Sequence, residues 1–96
     1  MILHTVLIKW KPGTTRSDIE RVMPDFRGLT AIDGVTDLTF GTVIPGKDQN
    51  FDFIMTVRLP NKEFLEQTYL RHPAHMRVVD GFGKLIGSAL IVDAEL

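Results

Sequence analysis

Residues 2–10 have the pattern of a β-strand that is apolar on both sides, and this feature restricts the fold more than any other. The even-numbered positions carry Ile, His, Val, Ile and Trp, and the odd-numbered positions carry Leu, Thr, Leu and Lys. Successive side chains of a strand point to opposite sides, so both sides of this strand should be covered. Such a strand is typical of a sheet with a layer on each face. Helices of the same chain can form one layer, and a second subunit can form the other.

A helix is predicted after the turn at Pro12-Gly13. Thr14, Thr15 and Ser17 are candidate caps, and Ser17 with Glu20 has the spacing of a capping box. Apolar residues then recur close to helical spacing: Ile19, Val22, Met23, Phe26, Leu29 and Ile32. Pro24 should kink or break this helix, because proline has no backbone N–H to donate. Asp33-Gly34 should end it.

The second half of the chain predicts a hairpin, two helical segments and a last strand. Residues 35–43 and 51–59 read as antiparallel strands joined by a polar turn at 45–50. Asn61 can cap a short helix that runs to about Tyr69. His72-Pro73 should break it, and Pro73 suits the first position of another helix. That helix would carry His75, Met76, Val79, Phe82 and Ile86 along one side, and residues 88–94 would form the last strand.

This order of elements, β-α-β-β-α(α)-β, predicts an α+β fold of the ferredoxin-like type. Such a fold has a four-stranded antiparallel sheet with helices on one face. The 96 residues are expected to form one domain, 1–96. Because the uncovered face of the sheet is apolar as well, we expect a homodimer or a ligand to bury it.

Charge and cysteine content exclude several classes of function. The 11 basic and 12 acidic residues are interspersed, so no basic stripe for nucleic acid is present. The absence of cysteine excludes disulfides and thiolate chemistry. The N-terminus lacks the features of a signal peptide, and its apolar run is far shorter than the roughly 20 residues that span a membrane. We therefore expect a cytoplasmic protein with neither nucleic acid nor membrane as a partner.

Histidines near the His72-Pro73 break are the best candidates for chemistry. His75 falls in the first turn of the predicted helix, where the helix dipole disfavours a charged ring and leaves a neutral base. It can equally be an ordinary residue that satisfies a helix end. His4, Tyr69 and His72 have similar alternatives: a hydrogen-bonded core residue, a packed aromatic and a helix cap. The His72 and His75 spacing lacks a nearby carboxylate, so we expect no metal.

Three features together resemble the stress-responsive A/B barrel (Dabb) family: the His4-x-Val6 opening, the Gly34-Val35 turn into a strand, and Tyr69-x-x-His72-Pro73-x-His75. The resemblance covers nearly the whole chain. It implies a dimeric α+β barrel and a cavity between sheet and helices in each protomer.

The resemblance also implies a candidate site. A plant polyketide cyclase of the family closes its substrate by aldol condensation without metal or organic cofactor, and its catalytic Tyr and His correspond to Tyr69 and His75. By this resemblance, the substrate-binding residues would be His4, Val6, Ile8, Phe26, Val57, Val78, Val79 and Ile86. Val78 and Ile86 stand where the plant enzyme has aromatic residues, so the substrate need not be the same.

Three functions are compatible with these observations. The first is a cofactor-free cyclase or aldol-type lyase that acts on a small poly-β-carbonyl compound. The second is a non-enzymatic homodimer that binds a small molecule or is associated with stress. The third is the cofactor-free or haem-dependent monooxygenase chemistry of related dimeric barrels, for which only Trp10 and His75 offer support.

Overall fold

A computed structural model describes residues 1–46 and 50–96 and contains the predicted four-stranded antiparallel sheet. The strands are β1 (Ile2–Trp10), β2 (Thr36–Thr42), β3 (Phe53–Leu59) and β4 (Ile86–Glu95). Their order across the sheet is β2-β3-β1-β4, and all neighbouring pairs are antiparallel. The ferredoxin-like α+β prediction is therefore confirmed. The predicted turn between β2 and β3 includes residues 47–49, which lie outside the described part of the chain.

Within the described residues, three helices cover one face of the sheet. They are α1 (Arg16–Arg27), α2 (Lys62–Phe64) and α3 (Pro73–Gly83). A short 3₁₀ turn, Gly28–Ala31, follows α1, and a π-helical turn, Leu65–Tyr69, follows α2. None of the helices among the described residues is long and apolar enough to cross a membrane.

The start of α1 differs from the prediction. The capping box is formed by Thr15 and Asp18, not by Ser17 and Glu20. The Thr15 hydroxyl accepts from the Asp18 N–H at 3.1 Å, and the Asp18 carboxylate accepts from the Thr15 N–H at 2.9 Å. These two bonds lower the pKa of Asp18. Pro24 lies inside the helix without ending it.

The core lies between the sheet and the helices. Alternate residues of β1 and β3 point into it, and the buried set contributed by the sheet is Ile2, Ile8, Phe53, Met55, Val57 and Leu59. The helical side contributes Met23, Phe26, Leu29, Leu65, Tyr69, Ala74, Val78 and Phe82. The opposite face of the sheet carries Leu3, Leu7 and Ile54, which are only partly buried, and Leu90 and Val92, which are each 46% exposed. The covered face accounts for the burial of one side of β1.

The last strand begins earlier than the sequence predicts. Ile86, expected on the α3 helix, pairs with Trp10 in the sheet. The helix ends at Gly83, and the Lys11 N–H donates to the Leu85 carbonyl at 2.8 Å. This bond directs the chain into the sheet one residue before Ile86. The strand then runs to Glu95, beyond the predicted limit of residue 94.

Candidate active site

The centre of the candidate site is an aromatic row formed by His4, Tyr69 and His75. The ring centroids of His4 and Tyr69 are 5.3 Å apart in an edge-on arrangement. Those of Tyr69 and His75 are 4.8 Å apart. Strand β1, the turn after α2 and helix α3 each provide one ring, so three separate elements converge on one place.

His4 is held by a carboxylate that the sequence analysis did not identify. Its ring is 5% exposed, and Asp93 lies opposite it in the register of β1 and β4. The Asp93 carboxylate bonds to the Nδ1 atom of His4. This bond satisfies a buried polar group and fixes the orientation of the ring.

Tyr69 reaches the site because the chain forms a wider turn before it. The Leu70 N–H donates to the Leu65 carbonyl, five residues back, at 3.1 Å. The Tyr69 side chain is 3% exposed. Burial raises the pKa of Tyr69, and the negative charge of Asp93 raises it further. The phenol therefore stays protonated and can donate a hydrogen bond.

His72 and Pro73 determine how α3 begins. The Nδ1 atom of His72 accepts from the Ala74 N–H at 3.0 Å, and Pro73 occupies the first helical turn. The interpretation of His72 as a helix cap is confirmed. The same start places His75 in the first turn of α3, with its ring toward Tyr69.

The His75 ring is partly buried, and its surroundings favour the neutral form of the imidazole. Burial is the main cause that lowers the pKa of His75, and the charge that His4 can carry lowers it further. The Leu70 carbonyl acts in the opposite direction. Nδ1 of His75 is buried and has no hydrogen-bond partner within residues 1–46 and 50–96.

These rings lie on the wall of a small cavity of about 40 Å³ between the sheet and the helices. Seven of its lining residues were named from the sequence: His4, Val6, Phe26, Val57, Tyr69, His75 and Val78. Three others, Leu29, Met55 and Thr56, were not. The helical and strand patterns placed Leu29 and Met55 in the core, but the sequence does not indicate which core residues border a cavity.

Ile8, Val79 and Ile86 do not line this cavity. Ile8 is fully buried elsewhere in the core. Val79 is 46% exposed, because the buried stripe of α3 runs through Ala74, Val78 and Phe82. Ile86 belongs to β4 rather than to the helix.

The arrangement suits proton transfer better than metal chemistry. In the described part of the chain, no group of three or more His, Asp or Glu side chains could hold a metal ion. A neutral imidazole beside a protonated phenol can remove a proton and stabilise the oxyanion that results. The donor set therefore provides a base and a hydrogen-bond donor at one apolar cavity.

Comparison with known proteins identifies relatives along the whole chain. A model of the Stress responsive A/B Barrel Domain family matches residues 2–96. No curated protein sequence matches the chain significantly. A Dabb family protein with a ferredoxin-like fold from Mesorhizobium loti is 25% identical, with a TM-score of 0.83, over 99% of this chain and 95% of that one.

Two further solved structures share the fold at lower identity. A dimeric ferredoxin-like protein of unknown function from Thermobifida fusca is 23% identical, with a TM-score of 0.85, over 99% of this chain and 90% of that one. A hydroxynitrile lyase from Passiflora edulis is 14% identical, with a TM-score of 0.84, over 99% of this chain and 92% of that one. The fold is thus found both in an enzyme and in a protein without an assigned function.

Proposed function

The chain belongs to the stress responsive A/B barrel domain family, and from this premise we propose that it is a cofactor-independent cyclase or aldol-type lyase. Its substrate would be a small poly-β-carbonyl compound. The observation that carries the proposal is the convergence of Tyr69 and His75, 4.8 Å apart between ring centroids, on one cavity. A hydroxynitrile lyase with the same fold is compatible with lyase chemistry on this scaffold.

In this proposal, His75 is the general base. Nδ1 is buried, and we propose that it keeps the proton of the neutral ring. Nε2 then carries the free lone pair. It would remove a proton from the carbon next to a substrate carbonyl. The lowered pKa of His75 keeps the ring neutral near pH 7, as a base requires.

Tyr69 would stabilise the enolate that forms. Its raised pKa keeps the hydroxyl protonated, so it can donate a hydrogen bond to the carbonyl oxygen as negative charge develops there. The enolate carbon would then attack a second carbonyl of the same substrate, and the new alkoxide would take the proton back from His75. Asp93 and His4 would hold the edge of the Tyr69 ring in place.

The size of the cavity restricts the substrate. One water molecule needs roughly 10–15 Å³ in the same measure, so about 40 Å³ holds about three of them. The reacting carbonyl and its neighbouring carbon fit within this space, and the rest of the substrate would lie outside it. A substrate with a short acyl portion is therefore favoured over one with a long alkyl chain.

The proposal is tested by measuring deuterium incorporation next to the carbonyl of short β-ketoacyl thioesters, and by following the cyclisation of a short tri-β-ketoacyl thioester, whose C2 can attack C7, by chromatography with mass spectrometry. We expect His75→Ala to reduce the rate about 10²–10⁴-fold, since this is the usual contribution of a general base. Tyr69→Phe should reduce it about 10²-fold or more. His72→Asn is the matched control, because it removes a nearby imidazole and keeps a side chain that can cap α3. The proposal would be refuted if the wild type and His75→Ala gave equal rates of deuterium incorporation and cyclisation with every thioester.

A second candidate function is a non-catalytic homodimer that binds a small molecule. The small volume of the cavity and its mostly apolar lining favour this alternative. It predicts saturable binding of a small carbonyl compound at the Tyr69–His75 cavity without deuterium incorporation.

For either function we propose a homodimer that joins the open faces of two sheets. This face carries Leu3, Leu7, Ile54, Leu90 and Val92, and the two on β4 are each 46% exposed. An apolar face of this kind favours association, and the neighbour from Thermobifida fusca is dimeric. A second copy of the chain would bury the side of β1 that the helices leave open.

A further inference from the structure

A second cleft of about 790 Å³ lies between α1 and the sheet, and the proposed function does not use it. Its walls include Trp10, Met23, Phe40 and Phe53, with Arg16 and Arg27 among its polar residues. Volumes of roughly 300–1,000 Å³ are usual for small-molecule sites. The cleft shares no lining residue with the cavity at Tyr69 and His75.

Aromatic rings form a continuous surface along the cleft. The Trp10 and Phe53 centroids are 5.4 Å apart, and those of Phe53 and Phe40 are 6.2 Å apart in a stacked arrangement. Phe82 is fully buried and stacks on Trp10 at 6.2 Å, which supports the indole from the core. Phe40 remains 44% exposed, so part of this surface is available to a ligand. A flat ring can stack on such a surface.

Among the charged residues of the described ranges, one cation of the cleft has no acidic partner. Arg16 pairs with Glu20 at 3.0 Å. The Asp52 carboxylate accepts from Lys9 at 3.4 Å and from the Trp10 N–H at 3.0 Å. Arg27 makes no ion pair within the described ranges, and its guanidinium lies 5.4 Å from the Phe40 ring centroid. A carboxylate would complement this guanidinium in a planar, two-bond arrangement.

Two aromatic rings separate the cleft from the candidate active site. Phe26 lines the inner cavity and Phe40 lines the cleft, and their rings meet edge to face at 5.8 Å. A ligand in the cleft would thus be kept away from His75 by a wall of packed side chains. Its binding can be measured independently of any reaction at the inner cavity.

We propose that this cleft is a binding site for a small aromatic carboxylate. The ring of the ligand stacks along Trp10 and Phe40, and its carboxylate bonds to Arg27. The aromatic surface selects flat molecules, and the Arg27 guanidinium selects anions over neutral analogues.

Trp10 is the only tryptophan of the chain, so its fluorescence reports directly on the cleft. The experiment titrates the full chain with benzoate, benzamide and cyclohexanecarboxylate and confirms each affinity by calorimetry. We expect benzoate to change the Trp10 emission and to bind at least about tenfold more tightly than either analogue, about 1.4 kcal/mol. Equal affinity for benzoate and cyclohexanecarboxylate, or no saturable binding of benzoate, would overturn the proposal.

Variants locate the site. Arg27→Gln should weaken benzoate about tenfold and leave benzamide unchanged, whereas Phe40→Leu should weaken both. Arg21→Gln is the matched control, since Arg21 is an exposed arginine on α1 that does not line the cleft. His75→Ala should leave benzoate binding unchanged. Loss of binding in His75→Ala would place benzoate in the inner cavity and overturn the proposal for the cleft.

Discussion

Replacing His75 by glutamine is expected to make the folded chain less sensitive to acid. Burial lowers the pKa of His75 in the folded state below its ordinary value of 6.5. The unfolded chain therefore takes up a proton near pH 6.5, and the folded chain takes it up only at lower pH. The stability that depends on neutral His75 is fully present above about pH 6.5 and is lost as the pH falls through the folded pKa.

The magnitude follows from the uptake of one proton. A single group changes the free energy of unfolding by at most about 1.4 kcal/mol per pH unit. Partial burial limits how far the folded pKa falls, so this slope applies over only part of the range below pH 6.5. Between pH 7 and pH 5, the wild-type chain should therefore lose more stability than His75→Gln, by at most about 2 kcal/mol. All other titratable groups are common to both chains, so the difference between the two chains isolates His75.

The assay is urea unfolding at pH 7, 6 and 5 at one fixed protein concentration, because association also contributes to apparent stability. His72→Asn serves as the control, since it removes a different imidazole and keeps a capping side chain. Because His75 is unchanged in this control, its loss of stability between pH 7 and pH 5 should match that of the wild type. If His75→Gln lost as much stability between pH 7 and pH 5 as the wild type, a buried neutral His75 would be refuted.

Three other perturbations test the packing, the cap and the proposed dimer. Phe82→Ala should reduce the free energy of unfolding by about 3–5 kcal/mol, because Phe82 is 1% exposed and supports Trp10; urea unfolding measures this. Thr15→Ala should cost about 1 kcal/mol and Ser17→Ala less than about 0.5, because only Thr15 caps α1; equal losses would contradict this assignment. Leu7→Arg should convert the proposed dimer into a monomer in light scattering, and a wild-type chain that is monomeric at micromolar concentration would contradict the dimer itself.

The fold could be predicted from the sequence because its signals are local. The alternating pattern of residues 2–10 sets β1, and the Asn61 cap and Pro73 fix two helix starts. Errors occurred where several local signals competed. Thr15 and Ser17 could each cap α1, and the structure selects Thr15 because Asp18 completes the reciprocal bond. Ile86 fits a helical stripe by spacing, but Gly83 ends the helix first.

The candidate site was harder to predict, because it depends on the phase of a helix and the register of a strand. Val78 and Val79 are chemically identical, and only the phase set at Pro73 turns Val78 inward. Asp93 lies 89 residues from His4, and only the pairing of β1 with β4 brings them together. A slip of one residue in that pairing would place Val92 or Ala94 opposite His4 and turn Asp93 to the other face of the sheet. The register of the last strand is therefore part of the site, since it provides the carboxylate that holds His4 against Tyr69.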